Sequence, residues 1–380
     1  MIRHVFALFR AGEINAVEAA SRLDLSRSRF YSLYGEYLRA SAGGSEGSWL
    51  PRVSGGDHAK AWPCGVEDLL RKRLSSDPPA SYAFAASEVD RVLGFRLARS
   101  QVRQWAVRNG FARPATEERQ PAASRRWQRS RVGELWQMDA TPHRWFGADA
   151  GQMPMLNMLD DCSRFQVGGR IYAREVYPAY LHFLSKAFSD HGLPLEIYVD
   201  YHSMFFSDTP QALTRLGEAL MFYAVSFKYA PTPQAKGKIE RVHQVWQDRL
   251  PAYFGSEGVR HLDIANEHLD ALVYQRNHRE PHREIGMTPA AAWHAAEAEG
   301  RICLRPAPKC PWWPFVWSER NHIRVGPDRK VDLGVRKVRV EACPGTWLVK
   351  CSHTDGYTSL LAKPPSAKER PQILFSDRPK

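Results

Sequence analysis

Between residues 2 and 39 apolar side chains recur at helical spacing. In NAVEAASRLDLSRSRFYSLYGEYL the residues Val17, Ala20, Leu23, Leu25, Phe30 and Leu33 form the apolar faces of two short helices, which break at Asp24-Leu25-Ser26. Ser26 is placed to cap the second of them. A Gly/Ser-rich spacer over 40–57 ends this unit. A second helical block follows, in which VEDLLRKRL, SYAFAASEVDRVLGF and ARSQVRQWAVRNGF read as three helices with a turn before the last. From Leu135 the period changes to two. Leu135-Trp136-Gln137-Met138-Asp139 alternates as a strand that stops at Thr141-Pro142, and MPMLNMLDDCSRFQVGGRIY (153–172) reads as two strands around a tight Asp160-Asp161-Cys162-Ser163 turn. EVYPAYLHFLSKAFSDHG is a helix ended by Gly192, and LEIYV (195–199) is a strand running into Asp200. TPQALTRLGEALMFYA is a helix with Thr209 as cap and Pro210 in its first turn. VSFKYAP is a short strand, and GKIERVHQVWQDRL (237–250) is a helix whose apolar stripe is Ile239, Val242, Trp246 and Leu250.

Three strands, helix, strand, helix, strand, helix is the order of a mixed sheet with helices packed on both sides. Beyond residue 259 the pattern is helical, with an interruption around Pro281. Residues 318–364 alternate in short strands with turn signals at Gly326-Pro327, Pro344-Gly345 and Asp355-Gly356, and AKPPSAKERPQILFSDRPK reads as a loose tail. The expected architecture is multidomain. All-α units occupy 1–42 and 60–112, a linker 113–131, an α/β core 132–258, a helical connector 259–317, a small all-β module 318–364 and a tail 365–380.

The length of 380 residues agrees with several domains, and an apolar fraction of 43% is ample for their cores. No run approaches the roughly 18 apolar residues of a membrane span, and the N-terminus lacks a signal-peptide pattern, so a soluble, unexported protein without a membrane partner is expected. Six scattered cysteines without CxxC spacing signal neither a zinc knuckle nor a disulfide framework, which suits a reducing cytoplasm. The net charge of +12 points to a polyanionic partner, most economically nucleic acid. Its distribution sharpens this. ARPATEERQPAASRRWQRSR (112–131) carries six arginines, Arg125 and Arg126 among them, against two glutamates, and reads as a basic flexible linker. The second N-terminal helix opens with Arg27-Ser28-Arg29, and its pattern resembles a helix-turn-helix whose second helix enters the major groove, the alternative being a compact three-helix bundle. Arg99 and Arg103 dress the last helix of the second block in the same way. Two such units would read an extended site on double-stranded DNA.

The chemistry is carried by three acids. In a sheet of this order Asp139 lies on the first strand, Asp200 ends the fourth and Glu240 begins the helix after the fifth. Brought together they would repel one another unless divalent cations intervene. Oxygen-only ligands with room for water suit Mg²⁺ or Mn²⁺, and two such ions would activate a nucleophile and stabilise the leaving 3′ oxygen of a phosphodiester. Lys236 and Lys238 would meet the DNA backbone, and His243, one turn beyond Glu240, would reach DNA, a metal-bound water or a surface hydrogen bond.

WQMDAT, YVDYHSMFF and PTPQAKGKIERVHQ resemble the three active-site segments of the retroviral-integrase-like core, and YAPTPQAKGKIERVHQVWQDRL is similar to bacterial insertion-sequence transposases with an Asp-Asp-Glu triad. Thirty-nine residues separate Asp200 from Glu240, close to that family's spacing. The resemblance covers roughly 130–300, where NHREPHREIGMTPAAAW also fits. It implies a ribonuclease-H-like core and an SH3-like barrel at the C-terminus. It also implies Asp139, Asp200 and Glu240 as catalytic metal ligands, and a homo-oligomer working on element ends and target DNA at the bacterial nucleoid. The implied reaction is cleavage at transposon ends followed by attack of the freed 3′-OH on target DNA. The alternative is a catalytically retired descendant that only binds DNA. One departure is Asp200-Tyr201-His202 where the family often has Asp-Asn-Gly; His202 is either structural or a contact to water or phosphate. Asp160-Asp161 is the strongest rival for a triad position, but a turn favours Asp for local hydrogen bonding and the pair is read as structural. The cluster PWWPFVWSER (311–320) is read as packing between the helical connector and the β-module.

Overall fold

The computed structural model describes residues 2–42, 61–112, 127–201, 205, 215–230, 236–308, 313–365 and 369–378. It divides into two units, Met1–Trp62 and Pro63–Lys380.

The first unit holds three helices, α1 (Ile2–Arg10), α2 (Ala16–Arg22) and α3 (Arg27–Ala42). Asn15 starts α2 with a reciprocal cap: its Oδ1 accepts from the Val17 and Glu18 amides while the Glu18 carboxylate accepts from the Asn15 amide. Ser26 caps α3 as expected, its hydroxyl accepting from the Arg29 amide. Asp24 turns the chain at φ +52°, and its short polar side chain tolerates this left-handed conformation better than most. Phe6, Ala19, Ala20, Phe30 and Leu33 fill the core. Val17, placed in the apolar set, points outward instead, because Ala19 and Ala20 already occupy the inner face of a helix of seven residues.

The second unit opens with α4 (Val66–Leu74), α5 (Tyr82–Leu93) and α6 (Arg99–Arg108). Next come β1 (Leu135–His143), β2 (Met153–Asp160), β3 (Gln166–Ile171), α7 (Tyr177–His191), β4 (Glu196–Val199), α8 (Arg215–Phe222), β5 (Ser226–Tyr229) and α9 (Gly237–Glu257). The five strands form one mixed sheet in the order β3-β2-β1-β4-β5. β1, β2 and β3 are antiparallel neighbours, while β1, β4 and β5 run parallel. One face packs against α7 and α8. The other packs against α9, whose stripe of Ile239, Val242, Trp246 and Leu250 is buried as its period requires, and against α10 (Leu262–His278). β1 does not stop at Thr141-Pro142. β4 pairs only with Leu135–Gln137, so Pro142 falls where β1 has β2 as its single neighbour and a missing amide hydrogen costs no ladder bond. Thr209 and Pro210 lie outside the described residues.

β3 is an edge strand that α10 closes. The Asn266 amide accepts from the Ile171 N–H and donates to its carbonyl, and Asn277 does the same for Gln166. The match is metric. The two asparagines stand about 16 Å apart along a helix rising 1.5 Å per residue, and their two targets lie about the same distance apart along a strand rising about 3.3 Å per residue. Gly168 lets α7 approach from the sheet's other side, since a Cβ there would stand 2.8 Å from the Phe183 ring.

The first helices of this unit are fastened to the far end of α9. Arg73, 1% exposed, donates to Glu88 at 2.7 Å and to Ser256 at 2.7 Å and pairs with Glu257. Beyond α10, Thr288 caps α11 (Pro289–Ala298), and α12 (Trp313–Val316) leads into β6 (Glu319–Arg324), β7 (Lys330–Asp332), β8 (Lys337–Arg339), β9 (Trp347–Ser352), β10 (Thr358–Leu361) and β11 (Ile373–Ser376). These make a four-stranded antiparallel sheet, β11-β10-β9-β6, and a separate ribbon, β7-β8. The expected loose tail therefore contains a strand: Leu374 and Phe375 reach the module's core and β11 pairs with β10. The tryptophan cluster is packing, but against a different partner than expected. Trp317 stacks on Tyr223 of the α/β core and Trp313 meets the same ring at a tilt, while Phe315 packs with Val349 and Leu361, so the segment joins the β-module to the end of α8. Among the described residues no helix is long and apolar enough to cross a membrane.

Replacing Asn277 by Ala strands the outward amide and carbonyl of Gln166. We expect a loss of about 1–3 kcal/mol, read as a lower urea midpoint with an unchanged slope.

Candidate active site

β1 and β4 are adjacent and parallel, with Gln137 in register with Tyr198. Two residues further along each strand stand Asp139 and Asp200, just beyond the point where the β1–β4 ladder ends. Ligands of open α/β sheets bind in this kind of place, outside the carboxyl ends of parallel strands. α9 supplies the third wall. Lys236 at its start, then Glu240, His243 and Gln247, fall within about 60° of one another at 100° per residue and share one face. Three of the four reach β1. The Lys236 ammonium lies 2.7 Å from Asp139 Oδ1 and 3.5 Å from Asp200 Oδ2, His243 Nδ1 lies 3.9 Å from Asp139 Oδ2, and Gln247 donates to the Thr141 hydroxyl at 2.8 Å. Glu240 is exposed in the middle of this face, and no hydrogen bond or ion pair ties it to another described residue.

The electrostatics follow from burial. Desolvation pushes the Asp139 carboxyl above its ordinary range, the Lys236 ammonium pulls it back, and Asp200 adds repulsion. Burial and the same lysine push the His243 imidazole down to about 4, so it is neutral at physiological pH. Its Nε2 is buried without a hydrogen-bond partner. The two aspartates thus converge on one positive charge. Among the described residues no three Asp, Glu, His or Cys side chains lie close enough to hold a metal ion as they stand. The donor set is nonetheless of the right kind: two oxygen ligands already share a cation, and a third carboxylate stands unpaired on the same helical face.

The cationic residues expected at the DNA backbone have other partners. Lys236 is almost fully buried between the carboxylates. Lys238 pairs with Asp161 and lies 4.5 Å from the Trp127 ring, because the turn of α9 that carries it faces the β2–β3 hairpin. His243 faces Asp139 rather than solvent. Arg27, Arg29, Arg99 and Arg103 are exposed as expected, and Arg125, Arg126 and His202 lie outside the described residues.

Asp160 and Asp161 are structural. Asp160, fully buried, accepts from the Gly133 amide and from the Ser163 amide and hydroxyl within its own turn. Asp161, equally buried, accepts from the Arg129 amide, the Gln137 side chain and Lys238. It joins the end of the linker, β1 and the first turn of α9, a supporting role with no local sequence signal beyond the turn itself. Gln247–Thr141 is a second support that the helical stripe alone does not disclose.

No family model matches the chain. It is 29% identical over 288 residues to the putative transposase y4bF of Sinorhizobium fredii, covering 73% of this chain and 60% of that protein. Over 153 residues it is 31% identical to the transposase for insertion sequence IS1202 of Streptococcus pneumoniae, covering 38% of this chain and 32% of the relative. The chain therefore spans 60% or less of these curated relatives. The likeness to a putative transposase thus extends over 73% of this chain, and that to an insertion-sequence transposase over 38%. Among solved structures, a simian T-cell lymphotropic virus intasome in complex with a PP2A regulatory subunit aligns at TM-score 0.40 with 13% identity, covering 76% of this chain and 95% of that one. The HTLV-2 integrase catalytic core domain in complex with magnesium aligns at TM-score 0.34 with 20% identity, covering 44% and 100%.

Asp161→Ala is expected to cost about 3–5 kcal/mol, because it leaves a largely buried lysine unpaired. Asp200→Ala, at a half-exposed carboxylate, is expected to cost at most about 1 kcal/mol. Urea unfolding of the two variants separates the supporting acid from the candidate catalytic one.

Proposed function

We propose that the protein is a DNA transposase of the Asp-Asp-Glu type, which cleaves at element ends and transfers the 3′-OH strand into target DNA. One observation carries the reading: Asp139 and Asp200, far apart in sequence, share a cation at the ends of adjacent parallel strands, with Glu240 unpaired on the helix face beside them. The likeness to curated transposases supports it. In this reading the core is ribonuclease-H-like and the C-terminal module an SH3-like barrel. Asp139, Asp200 and Glu240 hold Mg²⁺ or Mn²⁺, two ions per site. When bound, such ions activate the attacking water or 3′-OH and stabilise the leaving oxygen. The chain's own residues set the stage for this. Gln247 on Thr141 and Lys238 on Asp161 fasten the first turns of α9, the helix that carries Glu240, to the sheet and its β2–β3 turn. His243, neutral and buried, walls Asp139 from water on one side.

Arg27 and Arg29 at the start of α3, and Arg99 and Arg103 on α6, carry double-stranded DNA recognition in two helix-turn-helix units. Arg125 and Arg126 in the linker add phosphate contacts. The protein acts as a homo-oligomer, because two element ends and a target must be held together, and it works in the bacterial cytoplasm at the nucleoid. A second reading is a retired transposase that only binds DNA, and the ammonium seated between two of the three carboxylates favours it.

The test is strand transfer in Mg²⁺ on duplexes carrying the element's end. We expect activity in the natural protein and a loss of about a thousandfold or more in Asp139→Asn, Asp200→Asn and Glu240→Gln, with duplex affinity changed by no more than about twofold. Duplex binding without strand transfer by the natural protein establishes the second reading.

A further inference from the structure

Lys236 stands where helix chemistry disfavours it. It is the residue that begins α9, with φ −96° and ψ 14° and no side-chain cap. Such positions favour Ser, Thr, Asp or Asn, and a cation there opposes the helix dipole. Its four-carbon stem is nonetheless buried, and its ammonium is delivered between Asp139 and Asp200. The carboxylates account for this placement. Two negative charges side by side, one of them poorly hydrated, demand a counter-charge, and a single ammonium meets only half of it.

A divalent cation meets it better. It neutralises both carboxylates and draws on further oxygens, with Glu240 exposed and unpaired nearby. The two cations exclude each other: magnesium binds oxygen at about 2.1 Å, and an ammonium 2.7 Å from Asp139 Oδ1 and 3.5 Å from Asp200 Oδ2 fills the same gap. Lysine needs only side-chain torsions to leave, and at the start of a helix its stem can turn out to solvent. There a nucleic-acid phosphate is the anion on offer.

We infer that Lys236 is a built-in counter-ion that a divalent cation displaces from Asp139 and Asp200, and that the freed ammonium then serves DNA phosphate, so that metal and DNA strengthen each other's binding. The inference rests on the metal-ion reading of the site given above. Its chemistry is an exchange of partners, with no covalent step.

The experiment uses the full chain. Calorimetric titration with Mn²⁺ compares the natural protein with Lys236→Met, Asp139→Asn and, as a control that removes the same charge from the exposed surface of α7, Lys186→Met. Lys236→Met is expected to bind Mn²⁺ about tenfold more tightly than the natural protein, with Lys186→Met within about twofold of the natural protein and Asp139→Asn much weaker. Anisotropy of a short labelled duplex is expected to show Mn²⁺ raising DNA affinity of the natural protein by a comparable factor, and that coupling vanishing in Lys236→Met. A measurement without variants guards against misfolding: acetylation of Lys236, followed by mass spectrometry, is expected to accelerate severalfold on adding Mn²⁺, while Lys238 stays constant. Equal Mn²⁺ affinity in Lys236→Met and the natural protein, or unchanged acetylation with bound Mn²⁺, overturns the inference while leaving the metal reading intact. Failure of the natural protein to bind Mn²⁺, with Asp139→Asn indistinguishable from it, overturns both.

Discussion

Two carboxylates of one charge cannot be left facing each other in a partly desolvated corner of a protein. Adjacent parallel strands put Asp139 and Asp200 in that position, and much of the surrounding structure answers it. The answer takes the form of a helix whose first turns are tied at three points to the sheet and its β2–β3 turn. Lys236 is bound to the aspartates, Lys238 to Asp161 and Gln247 to Thr141. Trp246 adds a fourth tie from the apolar side, its indole N–H donating to Gln166. That contact connects α9 to the edge strand, and through Asn277 to α10. Charge, packing and backbone satisfaction therefore converge on the same few residues. Hydrogen bonds run without a break from α10 through the β3 edge to the helix that carries Glu240.

Much of this was legible in one dimension. The change of period at Leu135, the Asp-Asp turn after Leu159 and the alternation of strands with helices define the sheet, because a half-buried strand and an amphipathic helix have different repeats. Buried tryptophan and isoleucine positions on α9 were readable for the same reason. The three acids could be nominated because strand ends and a helix start bring distant residues to one edge.

What was not legible depends on contacts rather than periods. Pro142 belongs to a strand because β4 is short, a fact about a neighbour. β11 was hidden by the prolines and lysines before it, and its Leu374 and Phe375 gain meaning only from the core they complete. A lysine next to a catalytic-looking glutamate reads as a phosphate contact in any basic sequence. Only the register of β1 against β4 reveals that Lys236 has two carboxylates within reach. Trp313 and Trp317 announced packing without saying on what, since an aromatic cluster carries no address.

The fastening of α4 and α5 to the end of α9 through Arg73 has a further consequence. In the proposed reading, α6 belongs to a DNA-reading unit, and that unit shares a rigid frame with the carboxylates. The number of base pairs between the bound sequence and the broken phosphodiester is then built into the fold, like the gap between a gauge and a blade. Lengthening or shortening an element end by a few base pairs would move the cut site off the acids rather than shift where they cut.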